Sequence, residues 1–315
     1  MAMEIPRKMK AIQYSTYGGP DVLHCEEVPV PVAGENEVLV RVHAVGINPG
    51  DWQIRSGLAG DRFKLPYIPG WDVSGVAASV GAGVTNFSPG DAVYGMTVNS
   101  GGCAEYVVVP ARYLALKPDS VDFVEAAALP QSAFTAWHAL FVQGKLETGQ
   151  TVLINGAAGG VGHFAVQLAR WKEARVIGTA SARNESYLLD LGATAFVDYT
   201  ASLPTEIERS ADIVLDTVGG EKVDWLLDIL KPGGRLVPIT WGRYSSVKAA
   251  KASVTVQEVQ YPAISTAYLD ELTHLVNGGQ LNVTIDSVFP LEDTAKAHEK
   301  SESRRARGKI VIRVL

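Results

Sequence analysis

The sequence predicts an α/β protein of two domains, on three observations. A chain of 315 residues is too long for one ordinary compact core. From Lys10 to about Val109, short apolar runs are separated by Gly and Pro turns, which is the rhythm of a barrel or a folded-over sheet. From about Ala126, helical patterns alternate with short apolar runs, which implies a parallel sheet with helices on both faces. The expected layout is a β-rich domain over 1–127, completed by 261–315, with a doubly wound parallel-sheet domain over 128–260 inserted between its two pieces.

The elements follow in order. Glu37–Val45, Val73–Val80 and Ala104–Val109 are expected strands of the first domain. Glu125–Phe141 is a helical region, interrupted near Pro130. Strands are then expected at Thr151–Asn155, Arg175–Ala180, Ala195–Asp198, Ala211–Thr217, Arg235–Thr240 and Val254–Val259. Helices are expected over Gly160–Trp171, Glu185–Leu191, Lys222–Leu230 and Tyr261–Gly278. The tail adds a helix over Leu291–Ser301 and a closing strand at Lys309–Val314. Residues before Met9 read as a loose leader.

Composition excludes several classes. A net charge of -6 argues against a general nucleic-acid binder, which carries a basic face. Two cysteines, Cys25 and Cys103, cannot build a disulfide framework or a four-thiolate zinc site, and they suit a reducing compartment. The start has no apolar signal core, and no stretch is long and apolar enough to cross a bilayer, so a soluble cytoplasmic protein is expected. Arg304, Arg305 and Arg307 form a short basic cluster that reads as a solvated turn.

The most informative motif joins the first parallel strand to its helix. Thr151–Asn155 is followed by Gly156-Ala-Ala-Gly-Gly-Val-Gly162 and then by an amphipathic run. A pyrophosphate binds against backbone N–H groups at a helix start, where the dipole favours negative charge, and small residues leave it room. Ala158, Gly159, Gly160 and Val161 are the candidate contacts. Gly162 lets the helix pack against the strand, and Ala157 stands in the place of the first glycine of the dinucleotide fingerprint.

The end of the second strand chooses the dinucleotide. NAD proteins usually place an acid there for the ribose 2′-hydroxyl, and that acid repels a 2′-phosphate. Here Val176-Ile-Gly-Thr-Ala-Ser181-Ala-Arg183-Asn184 carries no acid before Glu185. Ser181 can donate a hydrogen bond and Arg183 can fork onto phosphate oxygens, so NADPH is expected.

Beyond these motifs the chain resembles the zinc-independent quinone oxidoreductase branch of the medium-chain dehydrogenase/reductase superfamily. The likeness runs from Lys10 to the C-terminus. It rests on Met9–Leu23, Asn48-Pro-Gly-Asp51, Val84–Gly95, Ala157–Gly162, Asp216-Thr-Val-Gly-Gly220 and Gly308-Lys309. The resemblance implies a GroES-like catalytic domain, a Rossmann domain, an active site in the cleft between them, and homodimers or homotetramers.

Zinc members of that superfamily carry a Cys where this chain has Asn48, Gly-His-Glu where it has Gly70-Trp71-Asp72, and a four-cysteine lobe that is missing here. Catalytic zinc needs three protein ligands and an open position, and Asn48 and Trp71 cannot supply a thiolate and an imidazole. Without that Lewis acid, attention turns to substrates that are already electrophilic, namely quinones and α,β-unsaturated carbonyls. Hydride from the nicotinamide would reach the β-carbon of an enone, and donors near the carbonyl oxygen would stabilise the enolate.

The resemblance also implies site residues. Asn48 and Asp51 lie at the nicotinamide end, Asn48 bonding substrate or ribose and Asp51 anchoring the loop or orienting water. The same four residues, Asn-Pro-Gly-Asp, also read as a plain turn. Where the family often has Tyr after this Asp, the chain has Trp52, which leaves Tyr67, Tyr94 or solvent as the proton source. Thr135, Tyr199, Thr217, Val218, Gly219, Ile239, Thr240 and Lys309 match cofactor-contacting positions. The expected activity is NADPH-dependent reduction of a small electrophile, with no nucleic-acid or membrane partner. The alternatives are a non-catalytic NADPH-binding protein of the lens-crystallin kind and a pathway-specific enoyl reductase.

Overall fold

A computed structural model describes residues 4–201, 207–257 and 265–315. In chain order the elements are β1 (Lys8–Gln13), β2 (His24–Pro29), β3 (Glu37–Ile47), α1 (Pro49–Arg55), β4 (Asp72–Val80), β5 (Ala92–Met96), β6 (Tyr106–Pro110), β7 (Leu114–Leu116), α2 (Phe123–Ala127) and α3 (Pro130–Trp137). Then come β8 (Thr151–Asn155), α4 (Gly162–Trp171), β9 (Arg175–Ala180), α5 (Glu185–Leu191), β10 (Ala195–Asp198), β11 (Ala211–Asp216), α6 (Leu226–Ile229), β12 (Leu230–Pro238), α7 (Ser246–Ala252) and β13 (Thr255–Val256). The chain closes with α8 (Thr266–Asn277), β14 (Ile285–Pro290), α9 (Thr294–Glu302) and β15 (Lys309–Arg313).

Two compact units result: Met1–Gln131 with Ala263–Gly279 and Val283–Leu315, and Ser132–Pro262 with Gln280–Asn282. In the first, a sheet runs in the order β14-β15-β3-β4-β5-β7, with β6 also on β3 and β1-β2 as a separate ribbon. β3 is its spine because its alternation buries both faces. Val38, Val40 and Val42 enter one core with Val93, Val107 and Ile310, while Leu39 enters another with Met9 and Ala78. Each such fully buried Val or Ile contributes ~2 kcal/mol. β15 pairs antiparallel with β3, which brings the tail beside the residues that lead into α1.

The second unit holds a parallel sheet in the order β10-β9-β8-β11-β12-β13. Numbered from β8, this is the 3-2-1-4-5-6 order of a Rossmann sheet, whose strand order reverses between β8 and β11. Leu153, Ile177, Val197, Val214 and Leu236 pack on one face with Leu226, Leu227 and Ala249. The alternate residues Val152, Ile154, Val176, Ile213 and Leu215 are buried as well. Burial on both faces is what continuous apolar strands in a parallel sheet require.

Several element bounds differ from the sequence expectation. The helical region expected over Glu125–Phe141 breaks before Pro130 as expected, into α2 and α3, and adds a π-helical stretch at His138–Gln143. α2 starts at Phe123 because Asp122 and Glu125 exchange side-chain bonds with each other's backbone N–H. Of the helix expected over Lys222–Leu230 only α6 forms, and the Leu226, Leu227 and Asp228 N–H groups bond three residues back, to Val223, Asp224 and Trp225. The Asn48–Asp51 segment, open to a turn reading, is the start of α1. β13 stops at Val256, and residues 258–264, which hold the rest of that strand and the start of the expected Tyr261 helix, lie outside the described residues.

Candidate functional site

In the first unit, three of the residues singled out above meet at the start of α1. Asp51, at the third helical position, accepts the Asn48 N–H at 2.8 Å and the Gly70 N–H at 2.9 Å. That is half of a capping box. In the other half the Asn48 side chain faces the Asp51 N–H, and it is also held from two further sides. Its Nδ2 donates to Asp72 Oδ2 at 2.9 Å, and its Oδ1 accepts from Lys309 Nζ at 2.6 Å. Lys309 Nζ also stands 3.6 Å from Asp72 Oδ2, and the Gln131 N–H donates to Asp72 Oδ1 at 3.0 Å. All four side chains are buried, Asp51 and Asp72 completely.

Burial sets the electrostatics of this cluster. It pushes the Asp51 carboxyl up to about 7, against the pull of the two N–H groups it accepts. It raises Asp72 and lowers Lys309, and each holds the other back towards its charged form. Of the two roles open to Asp51, anchoring the loop is the one whose contacts are present. Asp72 was not among the expected site residues. Its signal in the sequence is the Gly70-Trp71-Asp72 segment, where zinc relatives carry Gly-His-Glu.

The two tyrosines left as proton sources are placed differently. Tyr94 donates to the Leu269 carbonyl at 2.6 Å and lies 3.0 Å from Thr273 Oγ1, so its hydroxyl is spent inside the unit. Tyr67 is buried, with its ring 5.5 Å from Tyr14. Its hydroxyl lies against Ser100 and Trp71 without a hydrogen bond of normal geometry. Burial pushes both phenols well above their ordinary range, which keeps them protonated.

In the second unit, the remaining candidates other than Thr135 lie at the carboxyl ends of the strands. Ala158, Gly159, Gly160 and Val161 form the turn into α4, and no side chain caps that helix. The geometry fits a dinucleotide. A Cβ on Gly162 would sit 2.2 Å from the Gly156 carbonyl oxygen, so the glycine is needed for helix and strand to approach. A Cβ on Gly159 would meet one atom at 3.3 Å, so that side of the turn is open. Gly156 packs against Thr217 and Val218, and Gly219, at φ +64°, packs against Thr240 and the Trp241 carbonyl. These residues therefore gather at the carboxyl ends of β8, β11 and β12, where the strand order reverses and such sheets take ligands.

A buried acid ties these strand ends together. Asp216 accepts from Asn155 Nδ2 at 2.8 Å, from the Val218 and Gly219 N–H groups at 2.9 and 3.1 Å, and from the Tyr244 hydroxyl at 2.5 Å. Thr179 Oγ1 donates to Asn155 Oδ1 at 2.8 Å, and the Ile239 N–H donates to the Asp216 carbonyl at 3.0 Å. Ser181 and Arg183 follow β9 directly, Ser181 accepting from Asn184 Nδ2 at 3.2 Å and Arg183 exposed. Tyr199 is 59% exposed beyond β10, and Thr135 is buried on α3.

Residues 34–119 match the family model described as alcohol dehydrogenase GroES-like domain, and residues 191–312 match zinc-binding dehydrogenase. A quinone oxidoreductase from Sus scrofa is 35% identical, over 96% of this chain and 97% of its own. The chain belongs to the quinone oxidoreductase branch of the medium-chain dehydrogenase/reductase superfamily. An NADPH-dependent alkenal/one oxidoreductase, chloroplastic, from Arabidopsis thaliana is 33% identical over 98% of this chain and 80% of that one. Among solved structures, the quinone oxidoreductase from Coxiella burnetii superposes with a TM-score of 0.87 at 33% identity, covering 98% and 100% of the two chains. An NAD-dependent alcohol dehydrogenase superposes at 0.89 with 30% identity, covering 98% and 100%. Family membership implies a nicotinamide cofactor and oxidoreductase chemistry.

The zinc in one family description does not fit this donor set. The Asn48 amide is bonded on both atoms and a lysine ammonium already lies beside it, which repels a second cation. Residues 191–312 contain no cysteine, and among the described residues no three His, Cys, Asp or Glu side chains are grouped to hold an ion. Among the described residues, no helix is long and apolar enough to cross a membrane.

Proposed function

We propose that the chain is an NADPH-dependent reductase that transfers hydride to a quinone or an α,β-unsaturated carbonyl without a metal. The observation that carries this reading is the open glycine turn into α4, followed by a β9 end with Ser181 and Arg183 and no acid. Ala158, Gly159, Gly160 and Val161 hold the pyrophosphate on the helix start. Ser181 and Arg183 take the 2′-phosphate, with Tyr199 beside the adenosine. Thr217, Val218, Gly219, Ile239 and Thr240 line the ribose and nicotinamide, and Thr135 supports the same end. When bound, the cofactor supplies hydride from its C4 position.

The protein's share of the chemistry is orientation and electrostatics. Asn48 places an amide donor for the oxygen that gains negative charge, and Asp51 fixes the loop that carries it. With Tyr94 committed to Leu269, the α-carbon takes its proton from Tyr67 or from water. The small substrate, a homodimeric or homotetrameric assembly and a cytoplasmic setting complete the proposal.

Initial rates of NADPH and NADH oxidation across quinones, enals and enones test it. Turnover with at least one class, at a kcat/KM higher for NADPH by ~30-fold or more, is expected. Equal use of both cofactors would sink the NADPH assignment. Tight NADPH binding with no turnover across the panel would favour a non-catalytic binding protein.

A further inference from the structure

A buried ammonium–carboxylate pair adds little net stability by itself, because removing both charges from water costs about as much as their attraction returns. The Lys309–Asp72 pair is therefore better explained by what it holds. Lys309 is 2% and Asp72 0% exposed, and between them lies the Asn48 amide. An ammonium can only donate and an ionised carboxylate can only accept. The amide oxygen must therefore face Lys309 and the amide nitrogen must face Asp72. Flipping the amide would set an N–H against the ammonium and an oxygen against the carboxylate.

We propose that Lys309 and Asp72 are positioning residues that make Asn48 a one-way hydrogen-bond donor to the substrate's carbonyl oxygen. Of the two Nδ2 hydrogens, one is held by Asp72, and the other has no acceptor among the described residues. That second N–H is what Asn48 offers. It matches an oxygen acceptor and rejects a donor. Lys309 also draws electron density from the amide oxygen through a charge-assisted bond of 2.6 Å, which makes the remaining N–H a stronger donor.

The proposal rests on the reductase reading above and names the group that answers the charge. Hydride arrives at the β-carbon with its electron pair, and the C=C π electrons shift to give an enolate. The carbonyl oxygen gains the negative charge, and the α-carbon later takes a proton from Tyr67 or from water. The Asn48 N–H is strengthened for the step in which that charge appears. The fixed ammonium, acting through an amide, takes the electrophilic role that a metal fills in zinc enzymes.

The test compares the parent enzyme with Lys309→Met, Lys309→Arg and the charge-free pair Lys309→Met/Asp72→Asn. The pair removes both buried charges together, so it is spared the unpaired buried carboxylate of the single Met variant. Each is assayed with NADPH and an enone that the parent reduces. The expected result is a kcat lowered ~10- to 100-fold in the pair, with the NADPH Kd unchanged and partial recovery in Lys309→Arg. The kinetic isotope effect from NADPH deuterated at both C4 positions should rise, because the hydride step becomes slower; loss of folded enzyme alone would not change it. A folded pair with kcat within threefold of the parent and an unchanged isotope effect overturns the proposal alone. A parent that binds NADPH but reduces no conjugated carbonyl overturns the reductase reading and the proposal with it.

Discussion

Gly159 and Gly162 sit three residues apart in one turn, yet their replacement by alanine should fail in opposite ways. At Gly162 the added Cβ would lie 2.2 Å from the Gly156 carbonyl oxygen, 2.7 Å from Ala157 Cα and 2.8 Å from the Ala157 carbonyl carbon. Ordinary contact begins at 3.4 Å, so the nearest atom must retreat by about 1.2 Å, and all three atoms are backbone that cannot rotate aside. Overpacking of this kind costs ~3 kcal/mol, at the upper end of its usual range. For a domain of this size that is a fall in Tm of roughly 6–12 °C. At Gly159 the added Cβ meets one oxygen at 3.3 Å, so folding is barely disturbed and Tm should move by no more than about 2 °C. The same methyl group enters the space assigned to the pyrophosphate, so NADPH affinity should fall ~10- to 100-fold, or about 1.4–2.8 kcal/mol. Differential scanning calorimetry reads the first effect and isothermal titration the second. Unchanged NADPH affinity in folded Gly159→Ala would refute the placement of the phosphates. An unchanged Tm in Gly162→Ala would refute the tight α4–β8 packing.

Other perturbations probe separate parts of the account. Arg183→Ala should weaken NADPH ~10-fold and leave NADH within twofold; equal losses for both would show that Arg183 does not read the 2′-phosphate. Glu302→Gln takes the carboxylate from the Arg55 guanidinium, which is 1% exposed. The expected loss is ~3 kcal/mol in urea unfolding, and a loss under about 0.5 kcal/mol would mean that another group satisfies Arg55. His298 is held down to about 3 by burial and then by Arg55, from an ordinary 6.5. Between those values the unfolded chain binds more protons, so stability falls as pH drops through that window. His298→Leu should remove about 1 kcal/mol per pH unit of that fall between pH 6 and 4, and parallel curves for parent and variant would contradict it.

The parallel sheet was legible because its signals are local. Arg175–Ala180, Glu185–Leu191 and Ala195–Asp198 form as expected, since each apolar run is closed by its own turn residues. The glycine turn was legible for the same reason. The contacts of the first-unit cluster were not. Lys309 reaches Asn48 across 261 residues of chain, so no local pattern could show that the amide is held from both sides. Asp72 stands in the sequence only as the counterpart of the zinc relatives' Glu, and its ammonium partner is brought near by β15. Asp216 heads a motif that the sequence does show, but its bonds to Asn155 and Tyr244 are not local. It closes an apolar strand, and three of its four donors are the turn it leads into and a tyrosine 28 residues on. Asn48-Pro-Gly-Asp51 suited a turn by composition. The Asp51 carboxylate makes it a helix start by accepting the Asn48 N–H.

The central claim is that hydride passes from NADPH to the β-carbon of a conjugated acceptor. The most direct measurement is to run the reaction with NADPH deuterated at both C4 positions on an enone in ordinary water and locate the label by NMR. The expected product is the saturated ketone with deuterium at the β-carbon and a solvent proton at the α-carbon. Deuterium on the carbonyl carbon of an allylic alcohol, or a product without label, would contradict the account.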